Sequence, residues 1–161
     1  MTNLTIRPAQ PDDVPQIMTF IRSLAIYEDA EEEVTASEKD IHIALFGDNA
    51  TTHGLICELD GRPAGFAIYF FNFSTWTGKR GSYLEDLFVD PDWRGHGAGK
   101  ALLQYLAKVA LDEDCRRFEW SVLDWNEPSI AFYESLGARP MSDWLGYRID
   151  GEALERLAQK A

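Results

Sequence analysis

Val14, Ile17, Met18, Ile21, Leu24 and Ala25 fall on one face of a helix, and Asp12 or Asp13 stands where an N-cap belongs. The acidic run Glu28-Asp29 with Glu31-Glu32-Glu33 ends that helix. Before it, Leu4–Arg7 alternates into Pro8 and predicts a first strand. Ser37-Glu38-Lys39-Asp40 starts a short helix through Leu45, closed by Gly47. Leu55–Leu59, the tight turn Asp60-Gly61-Arg62-Pro63 and Ala64–Phe73 predict a hairpin, and Gly81–Val89 a third strand of the same group. A glycine-rich turn follows. Behind it Ala101, Leu102, Leu103, Tyr105, Leu106, Val109 and Ala110 recur at helical spacing to about Asp112. Arg117–Leu123 reads as a strand, and Pro128–Leu136 as a short helix ended by Gly137. Trp144–Ile149 reads as a last strand, and Asp150 caps a C-terminal helix through Leu157. This order predicts a mixed α/β fold in one domain, residues 1–161, with a sheet partly antiparallel and partly parallel.

Composition narrows the function classes. The chain has 161 residues, 45% of them apolar and 26% charged, enough for a sizeable core in a soluble domain. No apolar stretch has the length of a membrane span, and the first residues lack a signal-peptide pattern, so the cytoplasm is the default expectation. Cys57 and Cys115 form no CxxC pair and read as buried free thiols. The net charge of −12, from 27 acidic and 15 basic residues, argues against a nucleic-acid partner. It suits a cationic substrate, and equally a solubilising surface. His42, His53 and His96 show no metal-ligand spacing, and no metal is expected.

The turn reads Arg94-Gly95-His96-Gly97-Ala98-Gly99-Lys100. A strand, a glycine-rich turn and a helix start in that order form an anion site. Glycines let the backbone approach a ligand closely, and the first helical turn offers unpaired N–H groups and the positive end of its dipole. The turn is no mononucleotide loop, because Lys100 is followed by Ala101 rather than Ser or Thr. Its spacing also departs from the dinucleotide fingerprint, and it follows several strands instead of the first one.

Arg94 to Gly99 fits Arg-x-x-Gly-x-Gly, which resembles the acetyl-CoA signature of the GCN5-related N-acetyltransferase (GNAT) superfamily. Other segments resemble one branch of it, the spermidine/spermine N1-acetyltransferase-like and thialysine acetyltransferase enzymes. They are Ile6-Arg7-Pro8-Ala9, Leu24-Ala25-Ile26-Tyr27-Glu28, Tyr83 to Val89, Trp93 to Gly97, and Trp125-Asn126-Glu127-Pro128-Ser129-Ile130-Ala131-Phe132-Tyr133. The resemblance spans essentially the whole chain. It implies a GNAT fold, a twisted mixed sheet of six to seven strands flanked by helices, with acetyl-CoA as cosubstrate and a homodimeric assembly.

Acetyl transfer from a thioester to an amine needs a neutral amine, close approach of nitrogen to carbonyl carbon, a donor for the developing oxyanion, and a proton for the thiolate. The resemblance assigns the proton donor to Tyr133, a half-buried phenol being suited to that task. It gives Glu85 the substrate ammonium, as base or as anchor of a water that acts as one. Asp86 beside it points to the opposite face of a regular strand. The backbone of Leu87, Phe88 and Val89 matches the segment that meets the pantetheine arm. The turn from Arg94 through Gly95, His96, Gly97, Ala98 and Gly99 to Lys100 matches the diphosphate cradle, and Asn126 and Ser129 match further cofactor positions. Tyr27 and Glu28 match an aromatic–acidic pair that binds the amine through ring face and charge. Asp29 and Glu31 to Glu33 extend an acidic rim beyond them.

Two departures bear on the acceptor. The hairpin turn at 60–63 is shorter than in the diamine enzymes, and Glu134-Ser135-Leu136 lacks the basic residues that follow the tyrosine there. The sequence therefore predicts an N-acetyltransferase acting on a small cationic amine in a ternary complex. Its alternatives are a non-catalytic CoA-binding regulatory module and a protein or peptide acetyltransferase. Trp76, Trp144 and Tyr147 are candidates for a subunit interface.

Overall fold

A computed structural model describes residues 1–159. The chain packs as two compact units, the first running from Met1 to Leu123 and the second beginning at Asp124.

The first unit is built on one sheet in the order β1-β2-β3-β4-β5. Its strands are β1 (Leu4–Pro8), β2 (Thr52–Leu59), β3 (Arg62–Ser74), β4 (Lys79–Val89) and β5 (Arg117–Trp120). The first four pair antiparallel, and β5 pairs parallel to β4. Asp60 and Gly61, both at positive φ, make the two-residue turn between β2 and β3. Three helices accompany the sheet: α1 (Val14–Tyr27), α2 (Glu38–Phe46) and α3 (Ala98–Asp112). Ser37 caps α2, accepting from the Asp40 N–H while the Asp40 carboxylate accepts from the Ser37 N–H. Asp13 caps α1 only by backbone; its carboxylate is held by Arg7, at 2.7 Å, and by the Gln10 N–H.

The apolar stripe of α1 does what its spacing predicts. Ile17 and Phe20 are buried with Ile56, Phe66, Ile68 and Phe88 of the sheet, and Phe20 stacks on Phe66 with centroids 5.6 Å apart. Leu102, Leu103, Leu106 and Ala110 are the buried residues of the α3 stripe.

The second unit contains α4 (Glu127–Ser135) and α5 (Gly151–Gln159). Here the sequence reading needs correction. Residues 144–149 form no strand, and the strand at 117 ends at Trp120, so the sheet has five strands rather than six to seven. Strands exist by pairing, which local alternation does not provide; Gly146 also interrupts the segment, and Trp144, Leu145 and Tyr147 are exposed.

Candidate active site

The site begins with an irregularity in β4. Asp86 lies opposite Ile68 and Leu84 opposite Tyr69, so Glu85 is an extra residue with no partner on β3. A bulge of this kind resets the alternation of side chains. Leu84 shares a face with Tyr69, whose hydroxyl feels Tyr105 and Glu113 at α3 and its C-cap. Asp86 shares its face with Ile68, and Phe88 with Phe66, in the cluster beneath α1. Without the bulge, Leu84 and Asp86 would lie on one face. With it, Asp86 comes to the α1 side of the sheet, close to Glu28 at the end of α1.

That proximity is electrostatic. Burial, then the charges of Glu85 and Glu28, push the Asp86 carboxyl up to about 6. Desolvation also raises the Glu28 carboxyl above its ordinary value. Glu85 is exposed. Three carboxylates thus gather where an apolar strand emerges from the core. Asp86 received no role from its sequence; the available signal was a charged residue inside a strand whose regular phase would bury it.

The helix end beside them is sharply made. The Asp29 N–H bonds to the Ile26 carbonyl and that of Ala30 to the Ala25 carbonyl, with Asp29 left-handed at φ 57. Tyr27 and Glu28 are therefore the last residues held by helical geometry. Glu31–Glu33 form one exposed 3-10 turn.

β5 pairs with β4 from Gly81 to Leu84, and its ladder stops there. From Glu85 to Val89, β4 continues without β5 beside it, leaving a backbone edge suited to an extended amide-bearing ligand. Gly65 on β3 keeps this stretch close to its neighbour, since a Cβ there would stand 2.5 Å from the Phe88 carbonyl oxygen.

Asp90 then caps a 3-10 turn at Pro91–Trp93, and α3 begins at Ala98. Gly95 and Gly97 lie at φ 84 and 81, conformations that a side chain resists. A Cβ at either would meet no protein atom within 4 Å, so both face open space. Gly99 has no such φ; it belongs to the first turn of α3. The helical ladder starts with the Ala101 N–H on the Gly97 carbonyl oxygen at 3.0 Å, so the N–H groups of Ala98, Gly99 and Lys100 precede it. His96 and Lys100 are exposed. Bare glycine backbone, unclaimed N–H groups and an open strand edge fit a diphosphate followed by an amide chain.

Tyr27, Glu28, Glu85, Asp86, Leu87 to Val89 and Arg94 to Lys100 all belong to the first unit. Asn126, Ser129 and Tyr133 belong to the second, on α4. The Asn126 side chain caps that helix, accepting from the Ser129 N–H at 3.4 Å. Tyr133 is half-buried, its ring 5.7 Å from that of Phe132.

A model of the acetyltransferase (GNAT) family matches residues 18–138. Thialysine N-epsilon-acetyltransferase from Sus scrofa is 39% identical over 171 residues, covering 99% of this chain and all of that protein. L-ornithine N5-acetyltransferase from Arabidopsis thaliana is 30% identical, covering 94% of this chain and 86% of that one. Among solved structures, an integron cassette protein from the mobile metagenome of V. cholerae superposes with a TM-score of 0.80 at 27% identity, covering 97% and 98% of the two chains. The chain belongs to the GNAT acetyltransferase family. It is an N-acetyltransferase of the acetyl-CoA-dependent kind.

Proposed function

We propose that this chain moves the acetyl group of acetyl-CoA to a primary amine of a small cationic acceptor, a polyamine, diamine or lysine analogue, by direct attack in a ternary complex. The observation that carries this reading is the carboxylate group at the β4 bulge. Glu28, Glu85 and Asp86 lie beside an open strand edge and a phosphate-type turn, and Asp86 is pushed up to about 6 by burial and by its acidic neighbours. A bound ammonium relieves that repulsion and is drawn to it. The relatives named for thialysine and ornithine act on amines of this type by their names.

Acetyl-CoA supplies the activated acyl group. The protein's part is positioning and proton management. Gly95 and Gly97, with the N–H groups of Ala98, Gly99 and Lys100, hold the diphosphate at the N-terminus of α3. The backbone of Leu87, Phe88 and Val89 holds the pantetheine amides, and one N–H there polarises the acetyl carbonyl. Asn126 and Ser129 add cofactor contacts. Tyr27 and Glu28 hold the acceptor's cationic end. Glu85, exposed at the bulge, takes the ammonium proton directly or through water, and Asp86 fixes the nitrogen by charge. Tyr133 returns a proton to the departing thiolate.

The setting is proposed to be the cytoplasm, in keeping with two buried free cysteines. The assembly is proposed to be a homodimer, with the exposed side chains of Trp76, Trp144 and Tyr147 as candidate interface residues. No nucleic-acid or membrane partner is expected.

Steady-state assays with acetyl-CoA and a panel of amines and basic peptides test the reading. Thialysine, ornithine or a diamine should be the preferred acceptor, and Tyr133→Phe should lower kcat by about ten- to a thousandfold, the usual worth of a general acid. CoA release with no amine of the panel, or a Tyr133→Phe variant with unchanged kcat when chemistry limits turnover, would refute it.

A further inference from the structure

Arg94 touches both halves of the site. It opens the phosphate turn, yet its Cζ lies 5.5 Å from the centroid of the Tyr27 ring. Its Nε donates to the carbonyl oxygen of Val89, the last residue of β4, at 3.1 Å. Among the described residues, its two Nη groups have no hydrogen-bond or ion-pair partner. The guanidinium is thus tethered at one nitrogen, laid on an aromatic face, and left with an unused fork of donors beside glycines that face open space.

An aromatic ring attracts a cation through its quadrupole, and a second cation on the same ring meets the charge of the first. Tyr27 is the ring assigned above to the acceptor ammonium. A resident guanidinium and an arriving ammonium therefore compete for it. A diphosphate at the turn changes the balance, because charge-assisted, forked bonds to phosphate oxygens outweigh an exposed cation–π contact.

We propose that Arg94 is a positioning residue that couples the two binding sites: its guanidinium occupies the Tyr27 ring until an anionic cofactor at the turn takes up its charge, and the ring then accepts the ammonium. The coupling rests on the cofactor and acceptor sites proposed above. It is reciprocal, so the amine must tighten the cofactor by the factor by which the cofactor tightens the amine.

Calorimetric titration of thialysine into the full chain, with and without saturating CoA, measures this factor without turnover. For the wild type, CoA should tighten thialysine by about two- to fivefold beyond what the variants show, the worth of one exposed cation–π contact. In Arg94→Gln the free protein should already bind thialysine at the tighter level. Tyr27→Leu should lose the same share of the coupling, and the double variant no more than either single one. Arg94→Lys, which keeps the charge but not the planar fork, should bind CoA more weakly than the wild type and retain only part of the coupling. Coupling unchanged in Arg94→Gln, or additive losses in the double variant, would overturn the proposal while leaving both sites standing. Thialysine binding to neither form while CoA binds would overturn the acceptor site and the coupling with it; no CoA binding would overturn the cofactor site.

Discussion

The glycine turn and the acidic cluster border the same few residues of β4, yet they are made of different material. The turn is a backbone site. Its donors are N–H groups, its shape comes from two glycines at positive φ, and no side chain need be aimed. The carboxylate cluster is a side-chain site. Its three carboxylates come from α1 and from a strand whose phase is reset by one unpaired residue, Glu85. A backbone site is written locally in the chain; a side-chain site depends on register, which the chain writes only through its partners.

The sharpest way to separate the two is to fill the backbone site. Gly97→Val places a branched side chain at φ 81, where the cost is about 1–2 kcal/mol. A Cβ there meets no protein atom within 4 Å and faces the open space assigned to the ligand. Affinity for CoA should fall by tenfold or more, a loss of about 1.4 kcal/mol or more on binding, since the side chain clashes with the ligand while the backbone strain is common to free and bound protein. Binding of thialysine to the CoA-free protein should stay near the wild-type value. Gly99→Ala is the control, since its Cβ would touch only Val89 at 3.9 Å. It should gain up to about 1 kcal/mol of stability from helix propensity. Equal losses of CoA affinity in both variants would mean that α3, rather than the left-handed turn, defines the site.

Asp86→Asn tests the other side. A carboxyl raised from 3.8 to about 6 is held more readily as the neutral acid in the folded chain. Its favourable contribution to stability is complete below pH ~4 and is lost as the pH rises through about 6. At pH 7 the ionised group opposes folding. The asparagine variant should therefore be more stable at pH 7, by about 1–3 kcal/mol, and the gain should vanish near pH 4. In the same variant the KM for the amine should rise several-fold, with the KM for acetyl-CoA unchanged. For the wild type, amine affinity should weaken as the pH falls below about 6, where Asp86 takes up its proton. Equal melting temperatures of variant and wild type across pH 4–8 would contradict the buried, crowded environment assigned to Asp86.

The same contrast explains how much could be read from the residues. The helices at 14–27 and 98–112, the capped helix after Ser37, the hairpin at Asp60-Gly61 and the turn at 94–100 are all set by short-range chemistry: periodicity, caps and glycine φ. Each is legible in a window of ten to twenty residues. The family, too, was visible in segments such as Arg94 to Gly99. The bulge was not. Glu85-Asp86 gives no local sign of which residue lacks a partner, because the answer lies in the register of β3 eighteen residues earlier. That is why the sequence brought forward Glu85 and left Asp86 in the background. The strand expected at 144–149 failed for a related reason: alternation without a neighbouring strand predicts a face, not a ladder.

The weakest effect concerns the outer rim. Glu31–Glu33 continue the acidic character of the carboxylate cluster, but they sit exposed in a 3-10 turn, where water and salt screen them. Their contribution should be one of long-range attraction, not of contact. Replacing all three by glutamine should raise the KM for a diamine by about two- to threefold at low ionic strength and by nothing measurable at 0.15 M salt, since exposed charges are screened within about 8 Å there. Asp86→Asn should keep its effect in salt, because a mostly buried carboxylate is screened far less. If the triple variant were as salt-resistant as Asp86→Asn, the rim would be touching the second amine directly, and the acceptor site would reach beyond α1 to the turn that follows it.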